Sequence, residues 1–356
     1  MSATAQPAST TTSAAAKPRR VALLTSTRTR TLGLLAGLAL LVVLMGLSLA
    51  IGSLRIPLAD VIDAFTDRQD TDEHTIVREL RVPRTLLGLL VGVGLGASGA
   101  LMQGLTRNPL AEPGILGINA GASLAVVLAI LVLDITTPSA YVWFALAGAG
   151  LTWVAVYALG TSGRQGASPT TLALAGAVMA ALLVALTSAI LTFDTQTLAQ
   201  FRYWNVGSIA GRQTEVVWTI APFIVVGFAL ALLAGRWLNA LALGDDVAKA
   251  LGQRIGLVRA GVAVAFILLA GAAVAAAGPI LFVGLAVPHM ARALVGTDYR
   301  WIVPFSGVIG ACFLLAGDVL GRVLTSPAEL EVGVVTAALG APFFIWLVRR
   351  RNLPQL

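Results

Sequence analysis

The sequence predicts an all-α integral membrane protein with about ten transmembrane helices and both termini in the cytoplasm. Of its 356 residues, 57% are hydrophobic and only 12% are charged, whereas soluble domains carry about 25% charged residues. Uncharged apolar runs of about 20 residues, the length that a helix needs to cross a bilayer, recur along the chain. The Lys and Arg residues lie at the ends of these runs and favour one side, which orients the helices.

Residues 1–30 are rich in Ala, Ser and Thr and have no apolar face, so they predict a disordered cytoplasmic tail. Residues 31–351 then form one predicted transmembrane domain. Its apolar runs predict spans at 31–51, 83–105, 114–133, 140–160, 169–193, 215–236, 257–277, 279–295, 300–322 and 331–349. Gly278-Pro279 separates two of these runs, because proline removes a helical hydrogen bond. With the tail in the cytoplasm, sixteen of the 24 Lys and Arg residues lie on that side, in agreement with the positive-inside rule.

The second predicted span carries small residues at every fourth position. On a helix this spacing places them on nearly one face, where the backbone of another helix can approach closely. We predict that this face is a helix-packing surface. Its members are Gly88, Gly92, Gly96, Ala100 and Gly104.

Two connections between spans are long enough to carry structure of their own. Residues 52–80 are acidic and are predicted to form an external loop. Residues 237–256 are predicted to form a cytoplasmic loop with a short helix. Asp245 and Asp246 suit its N-terminus, where negative charge is favourable, and Gly252 suits its end. A helix this short is marginal in water, so its apolar side should dock either on this protein or on a partner. That apolar side consists of Leu243, Val247 and Leu251.

Residue patterns for catalysis or metal binding are missing from the sequence. The only two lysines, Lys17 and Lys249, stand outside any nucleotide-binding P-loop motif, and the single cysteine excludes a multi-cysteine metal site. The two histidines lie on opposite predicted sides. The interiors of the predicted spans contain no acidic residue, which disfavours a proton-driven carrier. The sequence therefore predicts neither an enzyme nor a protein with its own metal or cofactor, and the +7 net charge reflects membrane topology rather than nucleic-acid binding.

Five motifs in order resemble the FecCD family, the membrane permeases of iron-chelate and vitamin B12 ABC importers. They cover about residues 30 to 350 and read LRVPR (80–84), MQGLTRNPLAEPGILGINAGAS (102–123), LALGDDVAKALG (241–252), GPILFVGLAVPHMAR (278–292) and ELEVGVVTAALGAPFFIWL (329–347). The resemblance implies a ten-helix subunit like the vitamin B12 importer permease, which dimerises around a central path. It also implies two cytoplasmic ATPase subunits, which would bind ATP and Mg, and an extracytoplasmic binding protein.

The resemblance also assigns roles to individual residues. It implies that the 241–252 segment is the coupling loop that fits a cleft on the ATPase. The contact residues would be Leu243, Gly244, Asp245, Asp246, Ala248, Leu251 and Gly252. Nearby, Asn108-Pro109-Leu110 is either a second contact or a plain structural turn.

At the external face, the resemblance implies that Arg81, Arg84 and Arg322 receive carboxylates of the binding protein, since guanidinium binds carboxylate in a bidentate manner. The alternatives are snorkelling to lipid headgroups, or pairing of Arg322 with Asp318 four residues earlier.

The resemblance further suggests residues along the translocation path. Gly278 and Pro279 match a break beside the path, whereas Ser168 and Thr170 lie where an inner constriction is expected. His289 is interpreted as a packing residue. The predicted cargo is a ferric siderophore, with cobalamin or haem as the alternative, in a bacterial inner membrane and in a dimer with a similar permease or with a second copy. An ion-gradient-driven transporter and a membrane scaffold are the rival classes.

Overall fold

A computed structural model describes residues 22–349 except 53, 55, 68–70, 136, 163–168 and 327. The described part of the chain forms helices joined by turns and short connections. The α-helices are α1 (Thr27–Ala50), α2 (Leu58–Thr66), α3 (Asp72–Thr75), α4 (Val82–Thr106), α5 (Ile118–Leu133), α6 (Pro138–Thr161), α7 (Pro169–Phe193), α8 (Thr195–Asn205), α9 (Thr214–Ala242), α10 (Asp245–Ala250), α11 (Ile255–Ala277), α12 (Val283–Val295), α13 (Tyr299–Leu324) and α14 (Val332–Arg349). A π-helical turn, Ile76–Arg81, joins α3 to α4, and a 3-10 turn, Pro113–Leu116, precedes α5.

Among the described residues, seven helical segments are long and apolar enough to cross a membrane, judged by length and composition. They are α1, the continuous α3–α4 segment, α6, α7, α9, α11 and α13, while α5, α12 and the apolar part of α14 are shorter. Each predicted span overlaps one of these ten segments. The all-helical fold class predicted from the sequence therefore agrees with the architecture.

The chain is ordered earlier than the predicted tail boundary. Residues 1–21 lie outside the described residues, but α1 begins at Thr27 rather than at residue 31. Ser26 caps it reciprocally: Ser26 Oγ accepts from Thr29 N and Thr29 Oγ1 accepts from Ser26 N, both at 3.1 Å. This capping box satisfies two backbone donors that a helix start otherwise leaves unpaired.

The predicted loop 52–80 contains α2, α3 and the π-helical turn, with a small core of its own. Ile56, Val61, Ala64 and Val77 are all buried there. The prediction of a plain acidic loop was incomplete, because the few apolar positions at helical spacing lie among many charged residues. The π-helical turn then runs directly into α4, so the connection ends as a continuous helix.

Helix α4 lies at the centre, and its small-residue face packs on α13. A Cβ built at Gly96 would lie 2.1 Å from Ser306 O, and one built at Gly92 would lie 2.5 Å from Ala311 Cα. Both neighbours are backbone atoms, so they cannot move aside as a flexible side chain would. Gly88 meets Leu315 and Gly104 meets Tyr299 along the same face. The backbones of α4 and α13 therefore pack in direct contact.

Beside this face, α4 also packs on the start of α12, a contact which the periodic pattern did not indicate. A Cβ at Gly99 would lie 2.0 Å from Gly284 O. Gly99 precedes the end of α4 by seven residues, or about 10 Å of helix. Helix α12 thus begins within the helical layer rather than at its edge, after a break at Gly278 (φ 74°) and Phe282 (φ 67°).

We expect Gly96→Val to destabilise the folded chain, because the added carbons would overlap the α13 backbone. Overpacking of this kind costs about 1–3 kcal/mol or more. The measurement is the thermal unfolding midpoint in detergent, with the monodisperse fraction after gel filtration. The matched control is Gly46→Val in α1, where a Cβ meets nothing within 4 Å. Equal midpoints for the two variants would contradict the close contact.

Candidate functional site

The 241–252 segment folds as the sequence suggested, with α10 at its centre. Gly244 precedes α10 with φ 112°, and Gly252 follows it with φ 80°. Both are conformations that a residue with a side chain rarely adopts. Gly252 N donates to Lys249 O at 2.9 Å and closes the last turn.

The apolar side of α10 faces away from the rest of this chain. Leu243 is 65% exposed, Leu251 64% and Val247 44%, whereas Ala248 is completely buried. Of the two docking alternatives that the sequence left open, packing on this protein's own surface is not what the structure shows. The apolar side instead forms a small exposed surface on a charged loop.

The two aspartates of α10 have different environments. Asp245 pairs with Arg107, which follows α4, and with Arg259 of α11 at 2.9 Å. Asp246 is exposed, with Lys249 at 4.0 Å. Asp245 therefore fixes α10 to the helical body, whereas Asp246 leaves its charge at the surface.

At the other end of α4 lie the three arginines that the resemblance singled out, and their donors are bonded within the chain. Arg81 is 5% exposed and donates to Leu49 O at 2.7 Å, to Ala50 O at 2.8 Å and to Leu54 O. Its guanidinium thus lies against the end of α1.

Arg322 is also buried, 2% exposed, and pairs with Asp318 at 2.6 Å. This is the i,i+4 pair that the sequence analysis gave as an alternative. Arg322 also donates to Ser48 O at 2.9 Å and Ile51 O at 2.5 Å. In this conformation neither Arg81 nor Arg322 presents its guanidinium at the surface.

Of these three arginines, only Arg84 has a side chain that reaches the surface. It binds Asp318 at 2.7 Å and Glu329 at 2.5 Å. The Arg84 side chain is 12% exposed and that of Glu329 is 30% exposed. Neither partner could be read from local sequence, because both lie more than 230 residues away along the chain.

The residues predicted along the path fall in separate places. Ser168 lies outside the described residues, and Thr170 is exposed in the first turn of α7. Gly278 is buried, and a Cβ there would lie 2.0 Å from Trp204 O. Pro279 is half-buried beside it, with its carbonyl oxygen against Gly207. Gly278 and Pro279 therefore pack against the end of α8 and the connection that follows it.

The connection between α4 and the 3-10 turn, residues 107–112, carries contacts that the sequence analysis missed. Asn108 Oδ1 accepts from Leu110 N at 2.9 Å, which forms the structural turn considered above. Pro109 O lies 2.7 Å from His289 Nε2. Glu112 Oε1 accepts from Phe282 N at 2.9 Å.

Glu112 is a largely buried carboxyl beside the start of α12. Burial raises the pKa of the Glu112 carboxyl, while the hydrogen bond from Phe282 N–H acts in the opposite direction. Glu112 lies in a connection rather than inside a predicted span, so the absence of acidic residues from the span interiors does not extend to it. A Glu directly before a proline, between two apolar runs, was the one available indication.

Within the residues that the structure describes, no group of three or more His, Cys, Asp or Glu side chains is arranged to hold a metal ion. The polar contacts of the site are ion pairs and backbone hydrogen bonds instead. Such an arrangement can bind and position protein surfaces, and it holds no nucleophile paired with a base.

Comparison with known proteins identifies two similar bacterial permeases. The chain is 46% identical over 290 residues to the probable siderophore transport system permease protein YfiZ of Bacillus subtilis (strain 168), covering 82% of this chain and 87% of that protein. It is 43% identical over 324 residues to the ferric enterobactin transport system permease protein FepD of Escherichia coli (strain K12), covering 91% and 97%.

A solved structure described as a metal-chelate type ABC transporter in an inward-facing conformation has the same fold. The TM-score is 0.79 at 29% sequence identity, over 90% of this chain and 99% of that chain. The model of the FecCD transport family matches residues 40–350. This chain therefore belongs to the FecCD transport family, as a multi-pass membrane permease rather than an enzyme.

Proposed function

We propose that this chain is the permease subunit of a binding-protein-dependent ABC importer that carries a ferric siderophore across a bacterial inner membrane. The observation that carries the proposal is the exposed apolar side of α10 in a family permease without a P-loop of its own. An energy-coupled importer needs such a surface, because ATP and Mg must then bind to a separate subunit.

In this proposal the chain crosses the membrane ten times, with both termini in the cytoplasm. The seven long and three shorter apolar helices support the number of crossings. The excess of Lys and Arg residues on the side of the N-terminal tail supports the orientation. Six crossings precede α10, which places it on the cytoplasmic side. One crossing precedes the connection 52–80, which places that connection outside.

The ATPase contact consists of the exposed residues of the segment from Leu243 to Gly252. The sequence analysis also placed Ala248 in this contact, but its side chain is buried against this chain and cannot take part. Leu243, Val247 and Leu251 would enter an apolar cleft, and the glycines at both ends allow the chain to turn sharply there. Asp246 offers an exposed charge for a basic partner residue, while Asp245 is held by this chain. Two ATPase copies would serve a permease dimer, with a similar chain as the favoured second subunit.

Support for the cargo comes from the named relatives, one a probable siderophore permease and the other a ferric enterobactin permease. Cobalamin and haem remain alternative cargoes, and an ion-gradient-driven transporter remains the rival class. The described helices carry few charges in their interiors, which suits release of a bulky chelate more than its tight binding.

The binding protein would dock at the end where α1 stops. Arg84 is the arginine whose partner, Glu329, lies nearest the solvent, so a carboxylate of the binding protein could replace Glu329 there. Arg81 and Arg322 would contribute by holding α1, α4 and α13 in the arrangement that presents Arg84.

We expect that deleting the chain abolishes uptake of ferric siderophore in cells. The probes are ferric enterobactin, a ferric hydroxamate, haem and cobalamin, each carrying a radiolabel. Uptake should also fail on ATP depletion and persist with a protonophore. Loss of cobalamin or haem uptake alone would refute the cargo, and the reverse energy dependence would refute the importer class.

We expect Leu251→Asp to reduce co-purification of the ATPase at least tenfold, because burying an unpaired carboxylate in an apolar cleft costs several kcal/mol. The measurement is the ATPase-to-permease ratio after affinity purification from membranes with matched permease levels. Lys249→Ala, an exposed change on the same helix, should stay within twofold. An unchanged ratio for Leu251→Asp would refute α10 as the contact.

Charge changes at Arg84 and Glu329 should shift binding-protein affinity in opposite directions. Arg84→Gln removes the cation and should weaken binding about tenfold, whereas Glu329→Gln removes the carboxylate that competes for Arg84 Nη1 and should leave binding equal or tighter. The measurement is the dissociation constant of the loaded binding protein on permease nanodiscs. Arg212→Gln, an arginine 3.2 Å from Tyr141 Oη, is the control. Weaker binding with Glu329→Gln would contradict the exchange of partners.

A further inference from the structure

The connection 107–112 touches both the proposed ATPase contact and the short helix α12. Its first residue, Arg107, pairs with Asp245 of α10. Its later residues reach α12: Pro109 O lies 2.7 Å from His289 Nε2, and Glu112 Oε1 accepts from Phe282 N at 2.9 Å. Six residues therefore join two helices that are more than thirty residues apart in sequence.

The connection is built to be stiff. Arg107 holds φ at 49°, a region that few residues with a side chain occupy. Asn108 closes a turn through its side chain, and Ala111 N donates to Asn108 O at 3.1 Å. Proline rings at 109 and 113 fix two further backbone angles. A displacement of Arg107 would therefore pass along the connection rather than be absorbed within it.

The contacts at the start of α12 would pass a displacement of the connection 107–112 on to α12. The Glu112 carboxylate lies at the N-terminus of α12, where unpaired N–H groups and the helix dipole favour negative charge. Gln103 Nε2 donates to Leu285 O at 3.3 Å on the neighbouring side. The position of α12 is thus set jointly by α4 and by the connection.

Helix α12 also carries an uncompensated charge. Arg292 is 7% exposed, and none of its three guanidinium nitrogens has a hydrogen-bond partner among the residues that the structure describes. Removing a cation from water without acceptors is costly. A second packing of α12 that supplied acceptors to Arg292 would relieve this cost, so α12 has a physical reason to change position.

We propose that the connection 107–112 transmits movement of α10 to α12, with Arg107 and Glu112 as positioning residues at its two ends. This inference rests on the proposed function, in which α10 docks on an ATPase. When nucleotide moves the ATPase, Asp245 carries Arg107 with it, and Pro109 and Glu112 shift the start of α12. The ion pair of Arg107 thereby couples ATP hydrolysis to the interior of the permease.

The test follows α12 directly and needs no cargo. A bimane label is placed at Met290→Cys, a 39% exposed position on α12, in a Cys312→Ala background. The permease–ATPase complex is purified, and label fluorescence is compared without nucleotide and with Mg-ATP plus vanadate. ATP hydrolysis and ATPase retention are measured on the same samples. We expect a nucleotide-dependent emission shift in the otherwise unchanged complex.

Four variants test whether the movement of α10 reaches α12 through the connection 107–112. Arg107→Gln and Glu112→Leu should each reduce the emission shift at least fivefold, while ATPase retention and hydrolysis stay within twofold. Glu112→Gln keeps an acceptor for Phe282 N–H and should retain more than half of the shift. Arg259→Gln removes the other cation bonded to Asp245 and should keep the full shift.

The outcomes separate the two proposals. If the unmodified complex neither retains an ATPase nor hydrolyses ATP, the proposed function fails and this inference fails with it. If that complex shows the shift and Arg107→Gln shows it equally, only the inference is overturned. An equal loss in Arg107→Gln and Arg259→Gln would also overturn it, because anchoring of Asp245 rather than the connection would then be responsible.

Discussion

Helix α4 touches both α13 and the start of α12, and at both contacts there is no room for a Cβ atom. Backbone lies against backbone at Gly96–Ser306 and at Gly99–Gly284. Interfaces without side chains cannot adjust by changing rotamers, so a shift of α12 or α13 must move α4 or separate from it. In a lipid environment, such close packing of small residues replaces the hydrophobic effect as the main force between helices. The position of the arginines at the start of α4 and the position of α10 near its other end therefore both depend on α4.

The arginines at the start of α4 are best understood through the end of α1. The last carbonyls of a helix have no partner within it, and the negative end of the helix dipole favours a cation nearby. Arg81 and Arg322 together donate to the carbonyls of residues 48 to 51. Asp318 is buried with them and balances part of the charge. Arginine suits this role because its five donors lie in a fixed plane and stay charged.

Local sequence predicted what depends on local spacing. The apolar runs located the helices, the four-residue period located the face of α4 that packs on α13, and the charges and glycines of 241–252 located α10. Local spacing indicated the pair of Arg322 with Asp318. It could not predict the burial of Arg81 and Arg322, because the carbonyls that accept from them are brought to them only by folding. Gly99 was missed since it lies outside the periodic set. Gly278-Pro279 marks a break between two helices, but local sequence does not show how deep in the helical layer the break lies. The position at which α12 begins was therefore not predicted.

The two ends of α4 differ in how their charges are satisfied, and this difference bears on where change can occur. At the start of α4, the guanidinium groups of Arg81 and Arg322 are buried and bonded to several acceptors, which makes that end costly to rearrange. At the other end, Arg107 and Asp245 are 31% and 36% exposed, and ion pairs of this exposure contribute little to stability. The contacts at this end can therefore shift at small cost in free energy while Arg107 stays beside Asp245. The end that carries the exposed apolar helix is therefore also the end whose internal contacts can most easily follow a moving partner.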